Sequence, residues 1–504
     1  TGSGVAFEDA AAGGPTFKEV GTNFANSLMV GADSTGTLNA AEKNTGLGIG
    51  VFAALTSGDA NTVIGFDAGK SITTGGQNVL IGQGTGDSIT TGQTNIAIGQ
   101  ASLVALVDDD GNVAVGDNTM QFSTDAQNNV AVGQDAGRRI VGTENVAIGK
   151  GSMITAGDKD NNTAVGASSL ALLTTGDNNT AVGHSALAAT TTAANNTAVG
   201  VNSLTGNTTG SGNTAFGKGA GYRITTGNDN TFLGHTDDSN AGATTSSSNT
   251  FVGRSTGERN TSGNSNTAVG ALCMDLQTTG NTNTGVGSSC LTAITTPANN
   301  TAVGAGAGEA LTTGASNTAV GAGALGAATT GSSQVAIGFQ ALKVQHTNAH
   351  NTAVGTQAGI AITTGASNDL FGFQAGDSIT TGGTNICVGG FSMDGGAAQT
   401  GSANTHVGHD GMKVCTSGNN NVSMGLSTMA ALTTGHSNTF VGGNAGSAST
   451  TGSENCYIGR SAGRHETTMT VGNRNNVMGA YSAPSAVNGN DQIVLGNDVK
   501  GTAN

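Results

Sequence analysis

Asn162-Thr-Ala-Val-Gly166 returns as Asn179–Gly183, Asn196–Gly200, Asn266–Gly270, Asn300–Gly304, Asn317–Gly321 and Asn351–Gly355. Near-copies such as Asn78-Val-Leu-Ile-Gly82, Asn95-Ile-Ala-Ile-Gly99 and Asn438-Thr-Phe-Val-Gly442 fill the gaps. From Gly65 to Gly496 the closing glycines make 25 steps, and 21 of them are 17 residues long. A fixed short period dictates a quasi-linear repeat architecture in which each repeat stacks on its neighbours. The repeat therefore overrides the several globular domains that 504 residues would otherwise suggest.

Within a repeat we count the asparagine as position 1 and the glycine as position 5. Positions 2 and 4 are almost always Thr, Val or Ile, β-branched residues two apart on one face of a strand. Position 3, usually Ala, points the other way. Position 8 is usually Ala, position 9 Leu, Gly or Met, and position 12 often Ile or Leu. Thr-Thr-Gly follows, as in Thr73-Thr74-Gly75 and Thr433-Thr434-Gly435. No 3.6-residue period is present, so helices are excluded. The pattern predicts an all-β parallel β-solenoid or β-roll with 17-residue coils, each holding two short strands and two turns. Stacked at the strand spacing, ~28 coils would give a rod of roughly 130 Å.

Column stacking explains the recurrence. Position 1 is Asn in 24 of the 26 anchors, Gln334 and Gln492 being the exceptions, so its amide can bond to the copies above and below. Position 5 is Gly throughout, as a turn with positive φ requires. The rare residues obey the same register. Cys273 and Cys290 fall at position 8, Cys387 at 3, Cys415 at 12 and Cys456 at 2; Met120, Met153, Met274, Met393, Met412 and Met429 all replace Leu at position 9.

Composition narrows the classes. With 85 Gly but 3 Pro the chain is not collagen-like. The net charge of −15 opposes nucleic acid and anionic membranes as partners. No apolar run approaches the ~18 residues of a membrane span. The chain opens on Thr1 without a signal-like segment, so a processed or partial product is expected. Three segments are expected: a connector at 1–26, the repetitive shaft at 27–459, and irregular closing coils at 460–504, since terminal repeats must end the stack without an open edge.

The Asn-Thr-Ala-Val-Gly strand, with Ala-Leu and Thr-Thr-Gly, resembles the head repeats of YadA-like trimeric autotransporter adhesins, whose period is slightly shorter. It also resembles the repetitive shafts of bacteriophage tail fibres. There a segment like Asn490-Asp-Gln-Ile-Val-Leu-Gly-Asn497 often precedes a chaperone of the endosialidase type, which this sequence lacks and which would be cleaved off or lie outside it. The resemblance spans about residues 27–497. It implies a left-handed roll, a homotrimer, and a place in a virion tail or on an extracellular surface. The partners it implies are further copies of the chain, an upstream virion or fibre protein, and a host cell-surface receptor such as a glycan. The small Ala at position 3 would then allow close approach of the copies. A bacterial surface adhesin is the alternative on the same architecture.

No catalytic role is expected. A carbohydrate-cleaving tailspike needs paired carboxylates, whereas Asp67, Asp87, Asp117, Asp135, Asp177, Glu309 and Asp377 are scattered over variable turn positions. An ice-binding face needs Thr-x-Thr on a strand, and here Thr-Thr adjoins a turn. Asp108-Asp109-Asp110 and Asp237-Asp238 lack the spacing of a calcium loop, so no metal or cofactor is expected. His184, His235 and His409 occupy position 6 in distant coils, and His346 and His350 share one polar connection. His406 replaces Ala at position 3, where in a trimer it would meet its copies at the axis. Cys273 and Cys290 would stack in adjacent coils, within reach of a disulfide but expected as buried thiols. Departures from the period are the expected partner contacts, above all the insertion ending at Gly253, where Asp237 and Asp238 lie between Phe232 and Phe251 at position 3.

Overall fold

The computed structural model describes residues 17–19, 27–30, 39–155, 157–236, 243–345, 350–464, 471–485 and 489–501. They belong to two compact units, Thr1–Ser248 and Asn249–Asn504. Each is a parallel β-solenoid of ~17-residue coils, about 26 turns in all. In the first unit the strands run from Leu28–Val30 through Thr163–Val165 to Thr231–Leu233. In the second they run from Thr250–Val252 to Ile493–Leu495. Pairing is in register: Thr163, Ala164 and Val165 lie beside Thr180, Ala181 and Val182. Of the proposed connector, Phe17–Glu19 pairs antiparallel with Leu28–Val30; the rest lies outside the described residues.

One three-residue strand, positions 2 to 4, serves each coil. Among the described residues, the expected second strand forms as a run only at Ala126–Gln127, Ile140–Thr143 and Gly157–Asp158, with single bridges such as Ile379 to Gln399. Elsewhere that side of the coil is built of turns. The reason lies in the backbone: positions 7, 9 and 17 adopt left-handed φ even with ordinary side chains, as at Ser168 (+56°), Leu170 (+47°) and Asn178 (+57°). Such residues interrupt an extended run. Coil-to-coil hydrogen bonding persists nonetheless, since Leu170 N–H donates to the Ala186 carbonyl at 3.0 Å.

The glycine at position 5 holds φ between +126° and +148° in every coil whose glycine is among the described residues. A Cβ there would overlap the backbone of the matching glycine in the next coil, as at Gly99 against Gly116. Conformation and close approach both demand glycine.

Within each unit the asparagine column is a buried ladder, interrupted in the second at Gln334. Asn61 Oδ1 accepts both the main-chain N–H and the Nδ2 of Asn78, each at 3.0 Å. Asn78 Nδ2 donates its second proton to the Gly92 carbonyl at 2.9 Å. Most of these amides close their own coil and tie it to its neighbour, which pairs their buried donors. The first Thr of Thr-Thr-Gly adds a parallel column, Thr73 Oγ1 donating to the Thr90 carbonyl at 3.1 Å.

Inside and outside are the reverse of the expectation for position 3. Ala164, Ala181 and Ala198 are wholly buried within their own coil, facing positions 9 and 12 rather than a neighbouring copy. A coil this thin fits a small residue on the strand because Leu or Met reaches across from position 9. The two positions exchange volume. Met120, Leu170 and Leu187 sit with Ala114, Ala164 and Ala181 in their coils. Where position 3 carries a Phe or Tyr ring in the second unit, position 9 is glycine: Phe251 with Gly257, Phe440 with Gly446, Tyr457 with Gly463. The trade also runs backwards, with Phe52 at position 9 and Gly46 at position 3. Close packing at fixed coil size enforces this complementarity.

Candidate functional site

Position 4 faces outward. From Val30 to Leu495 it is always Val, Ile, Leu, Phe or Met. Its side chains are half-buried or exposed, Phe216 at 45% and Met424 at 51%. The coil's own core does not need them. Each unit therefore carries one continuous apolar column on its outer strand face, flanked by the Thr, Val and Ile of position 2.

The residues expected at a partner contact are placed differently. Phe251 is 3% exposed and fills the space above Gly257, so its ring belongs to the core. Phe232 is half-buried and packs against the core of the first unit, beside Gly221. Asp237 and Asp238 lie outside the described residues, as does His346.

His406, expected at an axis between copies, instead points into its own coil. It is fully buried, and its Nδ1 lies 2.6 Å from Ser423 Oγ. Gly411 stands where other coils carry Ala at position 8, and a Cβ there would overlap the imidazole. Burial pushes the ring down to about 4, so it is neutral. A second buried base is Lys159, whose Nζ donates to the Thr155 carbonyl at 2.7 Å and the Leu173 carbonyl at 3.1 Å. Burial pulls it down to about 8.

The cysteines are free thiols. Cys273 and Cys290 are buried in adjacent coils, and Gly285 leaves room for both, since its Cβ would lie 2.6 and 2.9 Å from the two sulfurs. The Cys273 thiol is held far above its ordinary range by its hydrogen bond with Cys290 and by burial. Among the described residues, no three His, Cys, Asp or Glu side chains converge on a metal-sized site, and no helix is long and apolar enough to cross a membrane.

The acids are less scattered than their spacing implied. Position 16 carboxylates accept backbone N–H groups of the preceding coil, Asp160 Oδ1 from Thr143 at 2.6 Å and Asp177 Oδ1 from Asp160 at 2.8 Å. Asp377 and Asp394 stack at position 10 of successive coils, and burial together with Asp394 raises Asp377 to about 6. Sequence reading passed over Asp394 because the insertion that follows it hides the shared register.

Beside that pair lies an aromatic edge. Phe373, Phe391 and His409 come from three successive coils, with ring centroids 5.1 and 5.4 Å apart in edge-to-face contact. Lys413 Nζ lies 5.9 Å from the centre of the Phe391 ring and pairs with Asp410, which also holds His409 Nδ1 at 2.7 Å. The signal was available in the sequence: an aromatic at position 6 or 7 in consecutive coils beside the second insertion.

No protein-family model and no curated protein matches the chain.

Proposed function

We propose that the chain is the shaft of a homotrimeric extracellular fibre, a tail-fibre shaft of a virion, that projects and supports attachment to a host surface receptor. The observation that carries this reading is the outward apolar column at position 4. A contiguous apolar face along a solenoid is uncommon on a protein that stays alone in water. Its most economical cover is the same column on further copies, because identical coils at equal height present matching surfaces to one another. Three copies and a left-handed winding are what the repeat's resemblance to trimeric adhesins and phage fibres adds.

Mechanically, the asparagine and threonine ladders make each coil a rigid spacer, and three copies multiply weak receptor contacts into avid attachment. Native mass spectrometry or light scattering tests the reading. The expected mass is three times 48.8 kDa. A monomer over the micromolar range overturns the trimer and, with it, the fibre.

A further inference from the structure

Within the fibre reading, on which this inference rests, we infer that the edge formed by Phe373, Phe391 and His409 is a binding platform for uncharged pyranose sugars of a surface glycan. Three coils in succession turn an aromatic ring outward on one edge, while Phe251, Phe440 and Tyr457 spend theirs in the core. Phe373 is 48% exposed. Gly390 occupies position 6 of the middle coil, so the ring of that coil is supplied from position 7 by Phe391; a Cβ on Gly390 would already lie 3.4 Å from the His409 ring.

The chemistry around the rings selects the ligand. Aromatic faces carry negative π density that attracts the weakly positive C–H face of a pyranose. Oriented polar groups must accompany them to give specificity. Here Asp410 holds both His409 and Lys413, so the imidazole and the ammonium of the edge are already paired. Asp377 and Asp394 stack in the adjoining column, where Asp377 Oδ1 accepts from Ser378 Oγ at 3.0 Å. An edge whose ammonium is already paired, with two further carboxylates in the adjoining column, suits hydroxyl-rich neutral sugars and repels sialic or uronic acids. The lengthened coil adds reach: Gly396, Ala397 and Ala398, just after Asp394, are exposed.

Saturation-transfer NMR on the full chain tests this, with methyl glycosides of glucose, galactose, mannose and N-acetylglucosamine as probes and those of glucuronic acid and N-acetylneuraminic acid as the acidic contrast. Transfer to the ring protons of at least one neutral glycoside is expected, and none to the acidic ones. Phe373→Ala and Phe391→Ala should each weaken that binding about tenfold or more, as loss of an aromatic anchor does. Phe66→Ala, at position 6 of a distant coil, should leave it unchanged. Native mass is recorded on the same samples, which separates this test from that of the trimer. Absence of transfer from every neutral glycoside, or equal transfer in all variants, overturns the platform. A drop from trimer to monomer on Phe373→Ala or Phe391→Ala also overturns it, by making the edge a contact between copies.

Discussion

Asn317 Oδ1 accepts the main-chain N–H of Gln334 at 3.0 Å, yet both side-chain amide atoms of Gln334 are buried without a partner. The extra methylene carries the amide past the ladder. The next rung adapts: Asn351 Nδ2 donates instead to Gln345 Oε1 at 3.1 Å. Gln492, the other glutamine at position 1, escapes the problem because Ser485 pairs with its amide at 2.7 and 2.8 Å.

Gln334→Asn should therefore stabilise the second unit. Restoring two buried hydrogen-bonding atoms is worth about 1–3 kcal/mol. A raised urea midpoint is the expected result, and Gln492→Asn should give little or no gain. An unchanged or lowered midpoint for Gln334→Asn would mean that its amide is already satisfied.

The volume exchange between positions 3 and 9 predicts a rescue. Gly446→Leu alone should destabilise by several kcal/mol, because the new side chain overlaps Phe440. The backbone is not the obstacle, since Leu170 and Met120 hold the same left-handed φ near +50°. Phe440→Ala alone should cost about 3–5 kcal/mol, partly through lost stacking on Tyr457 at 4.3 Å. The pair Phe440→Ala, Gly446→Leu recreates the Ala-and-Leu coil and should cost much less than the sum. A double-mutant cycle reads the coupling; simple additivity would refute the exchange.

Acid should loosen the coil of His406. Its folded-state value of about 4 lies below the ordinary 6.5, so between those limits the unfolded chain binds the extra proton. Stability is full above pH 6.5 and falls as pH drops toward 4, by up to about 3 kcal/mol. The variant His406→Ala, Gly411→Ala restores the usual Ala-and-Ala pairing and should remove that component of the acid dependence. Persistence of the same pH slope would place the titrating group elsewhere.

Charge on the outer column should part the copies without unfolding the coils. Val269→Lys, Val286→Lys and Val303→Lys put three ammonium groups in successive coils, each costing several kcal/mol if buried between copies. Loss of the trimer mass with retained far-UV circular dichroism is expected. Ala302→Lys, one residue inward, should instead collapse the coil. If the triple variant stays trimeric, the column does not lie between copies.

Much of this was legible in the sequence, and the limits have a physical cause. The asparagine ladder and the positive-φ glycine were readable because a single residue type meets both demands in every coil. The inner face was not, because both faces of the strand are apolar and the bulkier one, Val and Ile, lies outside. The volume missing at Ala164 arrives from Leu170, six residues later, through a left-handed backbone that residue type does not announce. His406 shows the same limit: only its pairing with Gly411 reveals that it turns inward.

In-register stacking also bears on how such a chain changes over generations. Coils of equal length ending on the same asparagine and glycine are interchangeable modules, so recombination between misaligned copies adds or removes a whole coil and rejoins matching ladders. Length is then nearly free to drift. The coils that are not interchangeable are those with private partners, such as Gln334 with its displaced neighbour, Cys273 with Cys290 over Gly285, and His406 with Ser423. Those pairs fix where the array tolerates duplication and where its history is locked.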